Sequence, residues 1–164
     1  MEDAFYSIIA TSDPICRRLN ILAVDDEAGT RKALDIVLKL AGYRPITAKD
    51  PEEALRLFEK GTLMPDLVIT NHNMPGMNGL AFVRKLKDRG YSGKIIVLTA
   101  YAGSEEEREY RKLGVAGLME KPFNVAELRN WIACIQQCHS KDFPPGQKPP
   151  CPPGSDEFCW WRPE

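Results

Sequence analysis

The chain has 164 residues, enough for one domain with a full hydrophobic core and too few for two of ordinary size. Its 22 basic and 23 acidic residues nearly cancel, so no global field selects nucleic acid or an anionic membrane as a partner. No apolar run approaches the ~20 residues that span a bilayer, and the opening "MEDAFYSIIA" is acidic where a secretion signal would be basic, so a cytoplasmic protein is expected.

Residues 1–18 form an extension without a sustained pattern, although Phe5, Tyr6, Ile8 and Ile9 suit a short extra helix or strand. From about residue 20, short apolar segments alternate with amphipathic ones. Strands are expected at Ile21 to Val24, Arg44 to Ala48, Asp66 to Thr70, Lys94 to Thr99 and Ala116 to Met119. The stretch after the first has Leu34, Val37, Leu38 and Ala41 on one helix face. Asp50-Pro51 followed by Glu53 reads as an N-cap, a first-turn proline and a capping-box acid, with Gly61 closing that helix. Ser104 with Glu107, and Asn124 with Glu127, repeat the capping pattern, while Gly42 and Gly114 stand where left-handed caps are needed. Five repeats of strand then helix, joined by short loops, predict a doubly wound α/β fold with a parallel sheet covered on both faces.

The domain is expected to span residues 19–138, followed by a tail, 139–164. There "KDFPPGQKPPCPPGSDEFCWWRPE" excludes regular helix or central strand and reads first as a disordered or polyproline-like tail, while Phe158, Trp160 and Trp161 weigh toward docking on the protein's own surface or a partner. The five cysteines, Cys16, Cys134, Cys138, Cys151 and Cys159, are an odd number with most at the C-terminal end, a pattern unlike a disulfide framework. Cys134, Cys138 and His139 lack the paired spacing of a zinc site, so buried helix cysteines are the simpler reading.

Open parallel sheets keep their chemistry at the carboxyl ends of their strands. The first strand ends in Asp25-Asp26-Glu27, the third in Asn71 with Asn73 beyond, the fourth in Thr99, and the fifth is followed by Lys121-Pro122. Paired carboxylates near carbonyl oxygens suit a hard cation such as Mg²⁺. A lysine and a hydroxyl beside them suit the oxygens of a phosphoryl group. Together they describe a phosphoryl-transfer site that lacks only its nucleophile. Singly, Asp26 or Glu27 also favours a helix start, and Lys121 also suits an ordinary surface.

The segments "ILAVDDE", "PDLVITNHNMPGMNG", "IIVLTAYA" and "LMEKPF" resemble, in the right order, the receiver domain of two-component response regulators over about 120 residues. The resemblance implies a flavodoxin-like (βα)5 fold of strand order 2-1-3-4-5. It implies Mg²⁺ held by Asp25, Asp26 and the main chain of Asn73, with Thr99 as the switch hydroxyl, Lys121 contacting phosphate, and a Lys121-Pro122 bond that is often cis.

Two positions depart from the family. Asn71 stands where receivers carry the aspartate that accepts a phosphoryl group, and a neutral carboxamide is a poor nucleophile, so phosphorylation there is expected to fail. The amide also removes a negative charge. A unit pair about 4 Å apart at an effective dielectric near 20 interacts by roughly 4 kcal/mol before desolvation and screening, so Mg²⁺ binding is expected to weaken without vanishing and the unphosphorylated fold to gain stability. Leu118 replaces the aromatic that receivers place three positions before the lysine, which removes a ring-swing relay. His72 is expected to face solvent, and strand alternation should turn Thr70 away from the crevice.

The expected function is therefore a receiver module of phosphorelay signalling, not an enzyme, working by protein contacts with a histidine kinase, a phosphotransfer protein or another receiver. By family analogy it is a monomer or weak homodimer through a face around Tyr101, Arg108, Tyr110 and Trp131. No recognition helix follows residue 137, so nucleic acid is not expected as a partner. Two alternatives stand beside this. One is a genuine phosphoacceptor carrying an introduced Asp-to-Asn lock. The other is a flavodoxin-like cofactor binder, which the acids of "DDEAGTRK" oppose because they repel phosphate unless a cation intervenes.

Overall fold

The computed structural model describes residues 18–61, 64–100 and 104–139. Expectations for the N-terminal extension, Tyr101, the tail and Cys16, Cys151 and Cys159 lie outside the described residues. Five strands alternate with five helices: β1 (Asn20–Val24), α1 (Ala28–Leu40), β2 (Arg44–Ala48), α2 (Pro51–Glu59), β3 (Leu67–Asn71), α3 (Gly79–Asp88), β4 (Lys94–Thr99), α4 (Ser104–Lys112), β5 (Gly117–Glu120) and α5 (Val125–His139). The sheet is parallel throughout and ordered β2-β1-β3-β4-β5, the flavodoxin-like arrangement expected.

Successive strand residues point to opposite faces, and the two faces bury separate cores. Leu22, Val24, Val68, Val97 and Leu118 pack with side chains of α2, α3 and α4, including Leu55, Phe82 and Tyr110. Ile21, Ala23, Ile69, Ile96 and Met119 pack with α1 and α5 through Leu34, Leu38, Trp131 and Ile132. Among the described strands only β2 is largely exposed, and it carries Pro45, which an edge strand tolerates because it need not donate to two ladders. Among the described residues no helix is long and apolar enough to cross a membrane.

Local chemistry sets the boundaries. Asp50 accepts from the Glu53 N–H at 2.6 Å, and Glu53 reaches back to the Lys49 N–H at 2.8 Å, one residue before the cap. Asn124 caps α5 through the Ala126 N–H. The Ser104 side chain lies outside the described ones. Gly42 adopts φ 85° after α1, with its N–H on the Lys39 carbonyl and that of Tyr43 on Leu38, a Schellman closure that needs the left-handed region. Gly90 closes α3 in the same way and was not singled out in the sequence.

Two strands sit one residue later than expected. Asp66 precedes β3, where its carboxylate and main chain both bond Asn20, so the ladder begins at Leu67 and runs through Asn71, which pairs with Leu98. β5 likewise begins at Gly117, because the Ala116 N–H bonds Ile95 ahead of the ladder.

Candidate functional site

β1 delivers Asp25, wholly buried, to the carboxyl edge of the sheet. One of its carboxylate oxygens accepts from Lys121 Nζ at 2.8 Å and the other from the Glu27 N–H at 2.8 Å. Lys121 follows β5, its own N–H donates to the Thr99 carbonyl at 2.7 Å, and the Lys121–Pro122 bond is cis, as the resemblance implied. Thr99 is buried at the end of β4. The topology thus gathers Asp25, Thr99 and Lys121 from three strand ends.

Asn71, the last residue of β3, is buried at the same carboxyl edge of the sheet. Its Nδ2 donates to Asp26 Oδ1 at 3.0 Å and to the Asn73 carbonyl at 2.7 Å. Asp26 and Asn73 are exposed, so the crevice opens to water on their side. Glu27 turns toward α1 and accepts from the Thr30 hydroxyl, which leaves two acids in the crevice. Arg31, which the sequence reading did not single out, donates to the carbonyls of Asp25 and Asp26 at 2.8 Å each and so fixes the loop after β1. No short motif marks it. Its signal is a long cation one turn into the helix that follows the paired acids.

Of the oxygens expected to hold a cation, those of Asp26 and Asn73 meet at Asn71 Nδ2, while those of Asp25 are turned to Lys121 and the Glu27 N–H. Four of them already accept from N–H donors, and Asn71 Nδ2 lies between two. Among the described residues no three His, Cys, Asp or Glu side chains gather in a metal-holding group. This arrangement does not fit a cation unless those bonds are given up.

His72 departs from expectation. It is buried, and its Nδ1 shares a 2.7 Å hydrogen bond with the Tyr110 hydroxyl of α4, the two rings meeting edge to face. Its N–H donates to the Leu98 carbonyl, so the strand path continues past Asn71 and alternation places His72 on the face of Val68 and Thr70, under α4. Thr70 is turned away from the Asn71 side chain, as expected, with its hydroxyl on the Asn71 carbonyl. Gly79 makes room for this packing. A Cβ there would lie 2.5 Å from the Asn71 carbonyl oxygen and 3.0 Å from the Tyr110 hydroxyl. Burial, and then the charge of Glu106, push the Tyr110 hydroxyl above its ordinary pKa and keep it protonated.

The expected contact face is also corrected. Tyr110 is 1% exposed and Trp131 7% exposed, and both belong to the core; of the expected contact residues that are described, only Arg108 is on the surface. Trp131 lies against Gly117, where any Cβ would collide with the indole. Leu118 is buried beside Val97 in the α4-side core, the ordinary strand residue that its type suggests.

The fold and the gathered acid, hydroxyl and lysine define a receiver-type signalling domain. The chain belongs to the response regulator receiver domain family, which it matches over residues 21–133. It is 33% identical over 112 residues to sporulation initiation phosphotransferase F of Bacillus subtilis, covering 68% of this chain and 89% of that protein. It is 36% identical over 115 residues to a probable transcriptional regulator of Guillardia theta, covering 70% of this chain but only 44% of the regulator. Among solved structures, the chemotaxis protein CheY4 of Vibrio cholerae superposes with a TM-score of 0.67 at 31% identity, covering 73% of this chain and 99% of that one.

Proposed function

We propose that the chain is a pseudo-receiver of phosphorelay signalling, which takes no phosphoryl group at position 71 and acts through protein–protein contacts. The observation that carries this reading is Asn71 itself: a carboxamide at the end of β3, with its nitrogen bonded to Asp26 and Asn73, where the family resemblance calls for an aspartate nucleophile. A carboxylate attacks phosphorus through a charged oxygen to give an acyl phosphate, and an amide has neither that charge nor a comparable product. Thr99 and Lys121 remain as the hydroxyl and cation that would hold phosphoryl oxygens, and Lys121 is neutralised by Asp25 in their absence. No catalytic turnover is assigned to the chain.

The partner class is a histidine kinase, a phosphotransfer protein or another receiver. With Tyr110 and Trp131 in the core, the surface left on α4 is polar, made by Glu105, Glu106, Arg108, Arg111 and Lys112. Such a surface favours charge-matched, salt-sensitive association over a large apolar interface.

A second reading, a phosphoacceptor held off by an introduced Asp-to-Asn change, is favoured by the retention of Asp25, Thr99 and Lys121 around position 71. The codon in the natural gene separates the two. Intact-mass spectrometry after incubation with Mg²⁺ and acetyl phosphate tests both the parent protein and Asn71→Asp. The parent is expected to gain no phosphoryl mass; a gain on the parent would remove the pseudo-receiver reading.

A further inference from the structure

We propose that the Asn71 carboxamide takes the place of a divalent cation in the crevice, so that the loops after β1 and β3 are joined without metal, and that a single amide-to-acid change would make their junction metal-requiring. A primary amide nitrogen carries two N–H donors, and both of Asn71's are used. One goes to a carboxylate oxygen of Asp26, on the loop after β1, and the other to the main-chain oxygen of Asn73, on the loop after β3. Bringing a carboxylate oxygen and a carbonyl oxygen around one electropositive point is what a hard cation does with oxygen ligands. Here a neutral side chain does it.

The surrounding groups close the same account. Asp25 is neutralised by the Lys121 ammonium and accepts from the Glu27 N–H, so neither of its oxygens needs a further partner. Arg31 satisfies the carbonyls of Asp25 and Asp26. An aspartate at position 71 would put an oxygen where Nδ2 lies, facing Asp26 Oδ1 and the Asn73 oxygen with no hydrogen between them. Like charges and lone pairs would then repel at hydrogen-bond distance unless a cation intervened.

Thermal melting in EDTA and in excess MgCl₂ tests this for the parent, Asn71→Asp and Asn71→Ala, with calorimetric titration of the parent by Mg²⁺ alongside. The parent is expected to melt at the same temperature in both buffers and to give no saturable Mg²⁺ heat. Asn71→Asp should melt ~5 °C lower in EDTA and regain the loss in Mg²⁺, since a bound ligand stabilises only the folded form. Asn71→Ala should melt lower in both. A parent melting temperature raised by Mg²⁺, with the rise lost in Asp26→Asn, overturns the proposal. So does an Asn71→Ala protein as stable in EDTA as the parent. If Asn71→Asp fails to fold in EDTA but folds in Mg²⁺, the proposal is supported in its strongest form; if it fails in both, the parent titration and Asn71→Ala still decide. The inference shares with the proposed function the reading of Asn71 as the acceptor position, but the two fail separately: a phosphoryl gain on the parent removes the proposed function, and Mg²⁺ binding to the parent removes the inference.

Discussion

The crevice at the ends of β1 and β3 and the neighbouring region of α4, β5 and α5 are built on different principles. In the crevice, polar side chains from separate loops meet through a handful of hydrogen bonds, with Asp26 and Asn73 open to water. In the other region, the large aromatics Tyr110 and Trp131 are sunk into the core, and the Tyr110 hydroxyl is satisfied there by His72. The helix α4, "SEEEREYRK", has one aromatic side chain and no aliphatic one, so its attachment to the sheet depends on Tyr110. Changes in the crevice should therefore alter chemistry with modest cost to the fold, and changes in the second region should alter stability first.

The largest departure is expected for Trp131→Ala. Removing a buried indole costs about 3–5 kcal/mol, whereas loss of a surface contact residue would leave urea unfolding nearly unchanged. Next comes Gly79→Ala, whose Cβ would press on the Asn71 carbonyl and the Tyr110 hydroxyl. Overpacking of this kind costs about 1–3 kcal/mol, read in the same unfolding experiment. Tyr110→Phe keeps the ring but strands His72 Nδ1 in the interior, for a loss of about 1–2 kcal/mol. Arg108→Ala, on the exposed side of α4, should stay within about 0.5 kcal/mol and show its effect only in partner binding.

Alkaline pH sharpens the same contrast. Burial raises the hydroxyls of Tyr91 and Tyr110 above their ordinary value, with the charges of Asp66 and Glu106 adding to it. Above about pH 10 the unfolded tyrosines lose protons that the folded ones keep, so the unfolded state binds fewer protons and stability falls as pH rises. The contribution is fully present below that pH. Tyr110→Phe should make the decline shallower in pH-dependent melting.

Much of the crevice was legible because topology fixes where strand ends lie: Asp25, Asn71, Thr99 and Lys121 were placed by strand order and residue type. His72 was misplaced because the ladder runs one residue further than its apolar run, and one more step of alternation puts the ring under α4. Tyr110 and Trp131 were assigned to the surface by family analogy against the local pattern. A lone aromatic on a charged helix has to be its anchor, and Leu128, Trp131, Ile132 and Ile135 follow the spacing of one buried face. The bonds of Asn71 were not readable, since they depend on how two loops approach each other.

The most direct test of the claim that Asn71 closes the crevice to both metal and phosphoryl group is a set of ¹H–¹⁵N spectra. They are recorded on the parent protein before and after Mg²⁺, and again after acetyl phosphate. The account predicts that the amide signals of residues 71–73, 99 and 118–121 stay in place for the parent and move for Asn71→Asp. Movement of those signals in the parent would contradict it.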